Sequence, residues 1–371
     1  MPPTELNPSL SLISRRRFLQ ASAMTLASST LSSCGWTLGN VRQTTGPSDK
    51  LYIYAWSNYT DNNLLNSFSE QTGIPVVADV YSSNEEMLAK IQAGGGSAYS
   101  IIFPSDYMVR KMADLGLIAE MDFSQIEGID RLFERFQNPV YDPGNKYSIP
   151  VSWGTTGLIY NTKKLSQPPD DWNYLWENKQ VLTKRMTLFN DVREVMGATL
   201  KKLGYSYNST NPEEIKQAYE SLATLKPAIA SFTSDGWRQQ IVVGDLMMAM
   251  SYSSDANEVI KENADLKYVI PKNGTSLWTD TMVIPKFAPK LEWAYKWINF
   301  ILQPSIGAQI SERLSFATPN EEAFKLLPSE LQNNVNLFPP NPLIGKCEGI
   351  APLSKEIEEI YDRYWTKLTS G

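Results

Sequence analysis

Residues 51–81 read LYIYAWSNYTDNNLLNSFSEQTGIPVVADVY, and this stretch predicts a strand, a helix and a second strand. The helix is predicted because Leu64, Leu65 and Phe68 share one face at helical spacing. Gly73 marks its end, since glycine readily adopts the left-handed backbone that closes many helices. Apolar runs of strand length lie on either side of this helix. Such an alternation is typical of an α/β sheet.

The same alternation continues along the chain and divides it into two lobes. Further strands are predicted near 100–103, 158–160, 186–189, 246–251, 268–270 and 282–285, with helices from about Asp191, Pro212, Asp255 and Pro289. Small residues from Val151 to Thr156 form a predicted crossing between the lobes. We expect the first lobe to comprise residues 50–155 and 281–325, and the second lobe residues 156–280 and 326–371.

The N-terminal residues predict export and lipid anchoring. Residues 14–20, SRRRFLQ, match a twin-arginine export signal, and a short apolar run follows them up to Leu31. Residues 31–35, LSSCG, are typical of a lipoprotein cleavage site, which would leave Cys34 as the lipidated first residue. We therefore expect residues 1–33 to be a signal and residues 34–49 a polar tether. The mature protein is expected in the periplasm, attached to a bacterial membrane through its lipid alone.

Composition excludes several classes of protein. The chain has 371 residues, no histidine and a net charge of −6. Without histidine it cannot form a Ser/His/Asp, Cys/His or zincin centre. With Cys34 lipidated, Cys347 remains alone and forms neither a disulfide nor a cysteine metal cluster. The acidic charge argues against nucleic acid as a partner. Carboxylate chemistry is what remains for an enzyme, so the expectation that this protein is not an enzyme rests on the family resemblance of the segments below. We expect no metal or cofactor.

Candidate binding residues fall where predicted strands end. In an open α/β sheet, ligands bind beyond the carboxyl ends of the strands. The segments WSNY at 56–59 and SDY at 105–107 follow the first and third strands, although their aromatic rings could also simply cap the sheet. Asp191 and Glu194 follow another strand and start a helix. Their spacing fits a capping box as well as a ligand site, so both interpretations stay open.

Trp278 and Asp280 suggest a specific chemistry. In an extended segment, positions two apart share a face, so this indole and this carboxylate point the same way. An aromatic face beside an acid suits an alkylammonium group, because the ring attracts the cation and the carboxylate neutralises it.

Together these segments resemble the substrate-binding proteins of bacterial spermidine/putrescine ABC transporters. The resemblance covers about residues 50–371 and is carried by YAWSNY (54–59), PSDY (104–107), DVREV (191–195), WTD (278–280) and ATPN (317–320). It implies a hinged, two-lobed periplasmic-binding-protein fold of type II, with the ligand cleft between the lobes. It also implies a monomer that captures a polyamine, putrescine or spermidine, and delivers it to ABC permease subunits.

The resemblance assigns ligand-binding roles in both lobes, with aromatic rings around the methylene chain and carboxylates on the ammonium groups. The residues that match the family's ligand positions are Trp56, Ser57, Tyr59, Ser105, Tyr107, Asp191, Glu194, Trp278 and Asp280. The chain departs from the family at Tyr252, where many members have tryptophan, and at Phe316, where tyrosine is frequent. Asp255 and Glu348 add acids near family ligand positions, for a third ammonium group or for tighter binding of a diamine.

Two other classes of function stay open on the sequence. One is a binding protein for another solute such as a sugar or a ferric ion. The other is a carboxylate-dependent glycosidase, which needs two carboxyl groups facing each other across a cleft. For a polyamine site we expect an affinity that is nearly constant between about pH 6 and 8, because ordinary carboxylates and amines titrate outside that range.

Overall fold

The computed structural model describes residues 49–56, 59–81 and 83–370. The predicted signal, tether and lipidation site at Cys34 lie outside the described residues, as does Ser57. The strands, in chain order, are β1 Leu51–Trp56, β2 Val76–Tyr81, β3 Ile101–Ile102, β4 Ser148–Asn161, β5 Met186–Leu188, β6 Ile229–Phe232, β7 Met248–Tyr252, β8 Leu266–Val269 and β9 Leu277–Val283.

Helices connect these strands throughout the described part of the chain. The α-helices are α1 Asn62–Thr72, α2 Asn84–Gln92, α3 Asp106–Asp114, α4 Glu134–Gln137, α5 Tyr174–Glu177, α6 Val192–Lys202, α7 Pro212–Leu225, α8 Trp237–Val242, α9 Ser253–Glu262, α10 Leu291–Ile301, α11 Pro304–Leu314, α12 Glu321–Leu326, α13 Ser329–Gln332, α14 Asn341–Ile344 and α15 Lys355–Thr369. Short 3₁₀ helices cover Gly95–Ala98, Phe123–Gln125, Ile129–Arg131, Pro143–Asn145 and Lys226–Ala228.

Two long strands join the lobes. The sheet order is β2-β1-β3-β9-β4-β7-β5-β6, with β8 also paired to β4. The first half of β4 pairs with β9 beside β3, whereas its second half pairs with β7 and β8. The predicted crossing at Val151–Thr156 is therefore the middle of one continuous strand, and the mixed α/β sheet of the two lobes agrees with the predicted fold class.

Each lobe has helices on both faces of its sheet. In the first lobe, Ile53 faces a core with Phe68 of α1 and Trp297 of α10, while Tyr54 faces Met87 of α2 and Met108 of α3. Successive residues of a strand point to opposite faces, so one strand supplies both cores.

The second lobe repeats this arrangement. Leu158 of β4 packs with Met196 of α6 and Ile215 of α7, and the next residue, Ile159, packs with Trp237 of α8. Both lobes therefore bury apolar side chains on two sheet faces, as α/β folds with helices on both sides do.

The C-terminal region contacts both lobes. Leu327 packs with Ala308 and Ala323, and Phe338 packs against the first-lobe core. Tyr361 and the rest of α15 pack against the second-lobe core. These contacts place residues 327–338 beside the first lobe, and the exact lobe boundaries remain a prediction.

Capping residues lie at both ends of α1. Asp61 caps α1 by accepting the Leu64 N–H at 2.7 Å, and Gly73 ends the helix at φ 71°.

Among the described residues, no helix is both long enough and apolar enough to cross a bilayer.

Candidate functional site

Asp280 is the centre of the site on the first-lobe side. Its carboxylate accepts hydrogen bonds from the Tyr59 and Ser105 hydroxyls, both at 2.7 Å. The Tyr59 hydroxyl also contacts the Ser152 hydroxyl. A register shift in β4 between Pro150 and Ser152 lies beside this contact, and such bulges often re-aim a side chain next to a site. Burial raises the pKa of Asp280.

Aromatic rings form a continuous wall from one lobe to the other. Tyr59 lies 5.4 Å from Phe316, Phe316 lies 5.7 Å from Trp278, and Trp278 lies 6.0 Å from Tyr252, measured between ring centroids. Tyr252 then contacts Phe189 at 4.5 Å. These distances are typical of packed aromatic pairs, and the half-buried rings of Tyr252, Trp278 and Phe316 offer a preformed surface for methylene groups.

Gly154 makes room for the central ring of this wall. It pairs with Trp278 across β4 and β9, and a Cβ atom at this position would lie 2.2 Å from the indole and 2.6 Å from the Ser253 hydroxyl. Any larger residue would therefore displace Trp278. The Trp278 indole N–H is buried and has no hydrogen-bond partner among the described residues.

Glu194 is the deepest acid on the second-lobe side, with 2% of its surface exposed. Its carboxylate accepts hydrogen bonds from the Tyr207 hydroxyl at 2.6 Å and the Ser276 hydroxyl at 2.8 Å. Burial, together with the nearby charge of Asp191, raises the pKa of Glu194 to about 7. The carboxyl group of this residue therefore titrates near neutral pH.

The raised pKa of Glu194 predicts a pH-dependent site, in place of the nearly constant affinity expected from ordinary carboxylates. A carboxyl group that titrates near pH 7 makes cation binding depend on pH between 6 and 8. The sequence could not indicate it, because the shift arises from burial in the folded protein.

Asp191 caps α6. One carboxylate oxygen accepts the N–H groups of Arg193 at 2.8 Å and Glu194 at 3.0 Å. The capping interpretation is therefore confirmed for Asp191, whose other oxygen takes no part in these bonds. Burial raises its pKa. Since Asp191 and Glu194 share one helical turn, they do not face each other across a cleft as a glycosidase pair would.

Tyr107 lies where the two lobes meet. Its ring packs against second-lobe as well as first-lobe core residues, and its hydroxyl accepts from Asn84 at 3.0 Å and donates to Glu85 at 3.2 Å. Its neighbour Asp106 is 2% exposed and accepts the N–H groups of Tyr107 and Thr279. Burial raises the pKa of Asp106 well above its usual value.

One strand face links the two acid positions. Ser276, Trp278 and Asp280 alternate along the chain at the start of β9 and just before it, so their side chains share a face. Ser276 holds Glu194 at one end and Asp280 lies at the other, about 13 Å away at strand spacing. The sequence-predicted Tyr59, Glu194, Trp278 and Asp280 therefore converge on one region.

Four carboxyl groups in this region, buried at Asp106 and Glu194 and half-buried at Asp191 and Asp280, form no ion pair with another described residue, although the charge of Arg193 acts on Asp191. Among the ion pairs formed by described residues, none involves Asp106, Asp191, Glu194 or Asp280. Burying a charge without a partner is costly, and the raised pKa values of these acids reflect that cost. The site is therefore suited to a positively charged ligand.

Other predicted ligand residues have different partners. Asp255 forms an ion pair with Arg238 at 2.9 Å, and Glu348 pairs with Lys201 at 2.6 Å. The Glu348 backbone pairs with Ser276 beside this strand face, and the Glu348 carboxylate accepts the Tyr207 N–H at 3.1 Å. Trp56 packs on Tyr81 with ring centroids 4.6 Å apart. The ligand-binding roles of all these residues remain predictions.

Sequence reasoning missed the residues that hold the acids in place. Tyr207 and Ser276 position Glu194, and Ser152 contacts Tyr59. One signal was present in the sequence: Gly197 lies mid-helix in α6, where a Cβ atom would be 2.1 Å from the Tyr207 ring. A glycine inside a helix often marks such a close approach.

Known proteins resemble this chain over most of its length. The family model described as bacterial extracellular solute-binding protein matches residues 63–339. The spermidine/putrescine-binding periplasmic protein of Salmonella typhimurium is 36% identical over 324 residues, covering 87% of this chain and 92% of that protein.

Solved structures give the same result. The spermidine/putrescine ABC transporter substrate-binding protein PotD from Streptococcus pneumoniae has a TM-score of 0.82 at 36% identity, covering 87% of this chain and 99% of that chain. The Tp0655 (TpPotD) lipoprotein of Treponema pallidum has a TM-score of 0.78 at 27% identity, covering 87% and 100%. These comparisons confirm the family resemblance inferred from the sequence motifs.

Proposed function

Because this chain belongs to the bacterial extracellular solute-binding protein family, we propose that it captures a polyamine, putrescine or spermidine, and delivers it to an ABC permease. The observation that carries this proposal is the group of acids Asp106, Glu194 and Asp280, which form no ion pair with another described residue and lie beside an aromatic wall. Asp280 at one end of the Ser276–Asp280 strand face, and Glu194 held by Ser276 at the other end, suit a chain with an ammonium group at each end. The names of the relatives, which refer to binding rather than catalysis, support the same function.

The strength of such a site can be estimated. A hydrogen bond to a charged group contributes about 1.5–3 kcal/mol and a desolvated cation–π contact about 2 kcal/mol. Two ammonium groups held by carboxylates and one cation–π contact therefore supply about 5–8 kcal/mol before ordering costs, whereas micromolar binding requires roughly 8 kcal/mol. Each methylene group buried on the aromatic wall adds about 0.8 kcal/mol, which an inorganic cation cannot gain.

The proposal includes attachment to a membrane through lipid on Cys34. It rests on the LSSCG segment at 31–35, and a relative that is named a lipoprotein supports it. An extracytoplasmic location fits a family described as extracellular solute-binding proteins. Mass spectrometry of the exported protein tests it, because lipidation adds acyl mass to a chain that begins at Cys34.

Isothermal titration of the chain lacking residues 1–33 with putrescine, spermidine and spermine tests the ligand. We expect micromolar or tighter affinity for at least one of the three and no heat with glucose, maltose or ferric citrate. Binding of a sugar or ferric ion in place of any polyamine would contradict the proposal. Sodium chloride at matched ionic strength serves as the control for nonspecific charge effects.

A further inference from the structure

The first lobe exposes an apolar and basic patch at the end of its sheet opposite the candidate site. We call this surface the base patch. It consists of Lys111, Leu115, Lys286, Phe287, Lys290 and Leu291.

The topology brings these residues to one end of the lobe. Helix α3 starts at Asp106 in the candidate site and runs away from it, so Lys111 and Leu115 lie near its far end. Strand β9 is antiparallel to β3 and leads towards the start of β3, where the Ser100 hydroxyl donates to the Pro289 carbonyl at 2.7 Å. Strand β1 is parallel to β3, so it also starts at this end.

The apolar side chains of the patch are unusually exposed. Phe287 is 76% exposed, Leu115 48% and Leu291 45%. Phe287 lies in a turn closed by the Ala288 N–H donating to the Pro285 carbonyl at 3.0 Å. The Lys286 N–H of this turn donates to the Leu117 carbonyl at 2.9 Å, which brings the turns bearing Phe287 and Leu115 together. A grouped apolar surface of this kind marks an interaction site more often than single exposed residues do.

The charge of the patch is basic in an acidic protein. Lys111, Lys286 and Lys290 form none of the ion pairs recorded between described residues, although the whole chain carries a net charge of −6. Exposed acids at this end include Asp114, which Arg110 pairs at 3.0 Å, Glu292 beside Leu291, and Asp49 just before β1. Exposed phenylalanine and leucine beside lysines form the pattern that enters the interface of an anionic bilayer.

We propose that the base patch rests on an anionic lipid surface and orients the anchored protein with its ligand site away from the bilayer. The inference rests on the proposed lipid attachment at Cys34. The 17 residues from Cys34 to Lys50 span 16 backbone steps and reach at most about 55 Å, and they join the lobe at the end that carries the patch. Tethering raises the effective concentration of the patch at the membrane, so a weak contact is enough to occupy it.

A fluorescence experiment on the full lipidated chain tests this orientation. Cys347→Ser removes the other thiol, and Glu292→Cys carries an environment-sensitive nitrobenzoxadiazole label beside Leu291. The chain is reconstituted into phosphatidylcholine vesicles with and without phosphatidylglycerol, together with doxyl-labelled lipid as quencher. We expect the anionic vesicles to quench the label by about half, and Phe287→Asp to abolish most of that quenching.

The matched controls use Val243, an exposed apolar residue of the second lobe at 60% exposure. A label on Val243→Cys should stay unquenched, and Val243→Asp should leave quenching at residue 292 unchanged. Equal quenching at both labels, or no effect of Phe287→Asp, would overturn the proposal. Loss of polyamine uptake by Phe287→Asp with unchanged quenching would assign the patch to a protein partner and likewise overturn it. Spermidine titration and mass spectrometry of the same samples separate these outcomes from failure of ligand binding or of lipidation.

Discussion

Asp280 illustrates how a single carboxylate combines structure and binding. It accepts from Tyr59 and Ser105 and has no ion pair among the described residues. We expect Asp280→Asn to weaken polyamine binding about 10- to 100-fold, which corresponds to the 1.5–3 kcal/mol of a charged hydrogen bond. The asparagine oxygen still accepts one of these hydroxyls, so the fold should persist. Titration calorimetry measures the affinity, and circular dichroism checks the fold.

The matched control is Asp170→Asn, which removes an exposed carboxylate paired with Lys272. Its affinity should equal that of the wild type. Equal affinity in both variants would show that Asp280 does not hold the ligand.

Glu194 gives the site a pH dependence with a definite sign. Its pKa is about 7 without ligand, and an ammonium group requires the ionised form. Affinity should therefore rise about tenfold from pH 6 to pH 8, and Glu194→Gln should flatten this rise. Titrations across this range measure it, and an equally steep rise in the variant would assign the titration to another group.

The same pKa predicts the stability of the ligand-free protein. The folded-state pKa lies above the unfolded value near 4.3, so the neutral carboxyl favours the fold. This contribution is complete at low pH and is lost as pH rises from about 4.3 through 7. We expect the melting temperature to fall less between pH 6 and 8 in Glu194→Gln than in the wild type, as measured by calorimetry.

Helix α6 depends on a close approach that one added methyl group would prevent. Gly197 lets the Tyr207 ring cross the helix and reach Glu194. Gly197→Ala should cost about 1–3 kcal/mol of unfolding free energy by overpacking and should also weaken polyamine binding. Chemical denaturation and titration measure the two effects. Gly345→Ala is the control, since its Cβ would meet the nearest atom at an ordinary 3.4 Å, and an equal loss in both variants would contradict this role.

The prediction of helices and strands succeeded where a local signal such as a helix cap is present. It failed where pairing with strands distant in sequence determines the length of an element. Gly73 ends α1 as expected, because helix capping is a local signal. Strand β4 was predicted only over residues 158–160, whereas it extends over Ser148–Asn161. Strand β4 extends through both lobes because β9, β7 and β8 pair along it. Those partner strands are distant in sequence, so no local pattern indicates the full length of β4.

The site was predictable in its residue types rather than in its arrangement. Motif spacing indicated Trp278 and Asp280 on one face, and the strand confirms it. The positions of Asp255 and Glu348 in ion pairs with Arg238 and Lys201 depend on partners that no local pattern identifies.

The whole molecule should respond to ligand as one unit with two lobes. A ligand held by Glu194 and by Asp280, at the two ends of the Ser276–Asp280 strand face, should stabilise the arrangement in which Tyr107 contacts the cores of both lobes. At 100 times its dissociation constant, spermidine should add about 2.7 kcal/mol of stability and raise the melting temperature by several degrees. Scanning calorimetry measures this, with magnesium chloride at matched ionic strength as the control. An equal shift with magnesium would indicate nonspecific screening.

A crystal structure of the protein with bound spermidine tests the convergence of acids and rings most directly. We predict one ammonium nitrogen within hydrogen-bonding distance of Asp280 and another beside Asp191 or Glu194, with the methylene chain against Trp278. Spermidine bound on another surface, with these carboxyl groups untouched, would contradict the account.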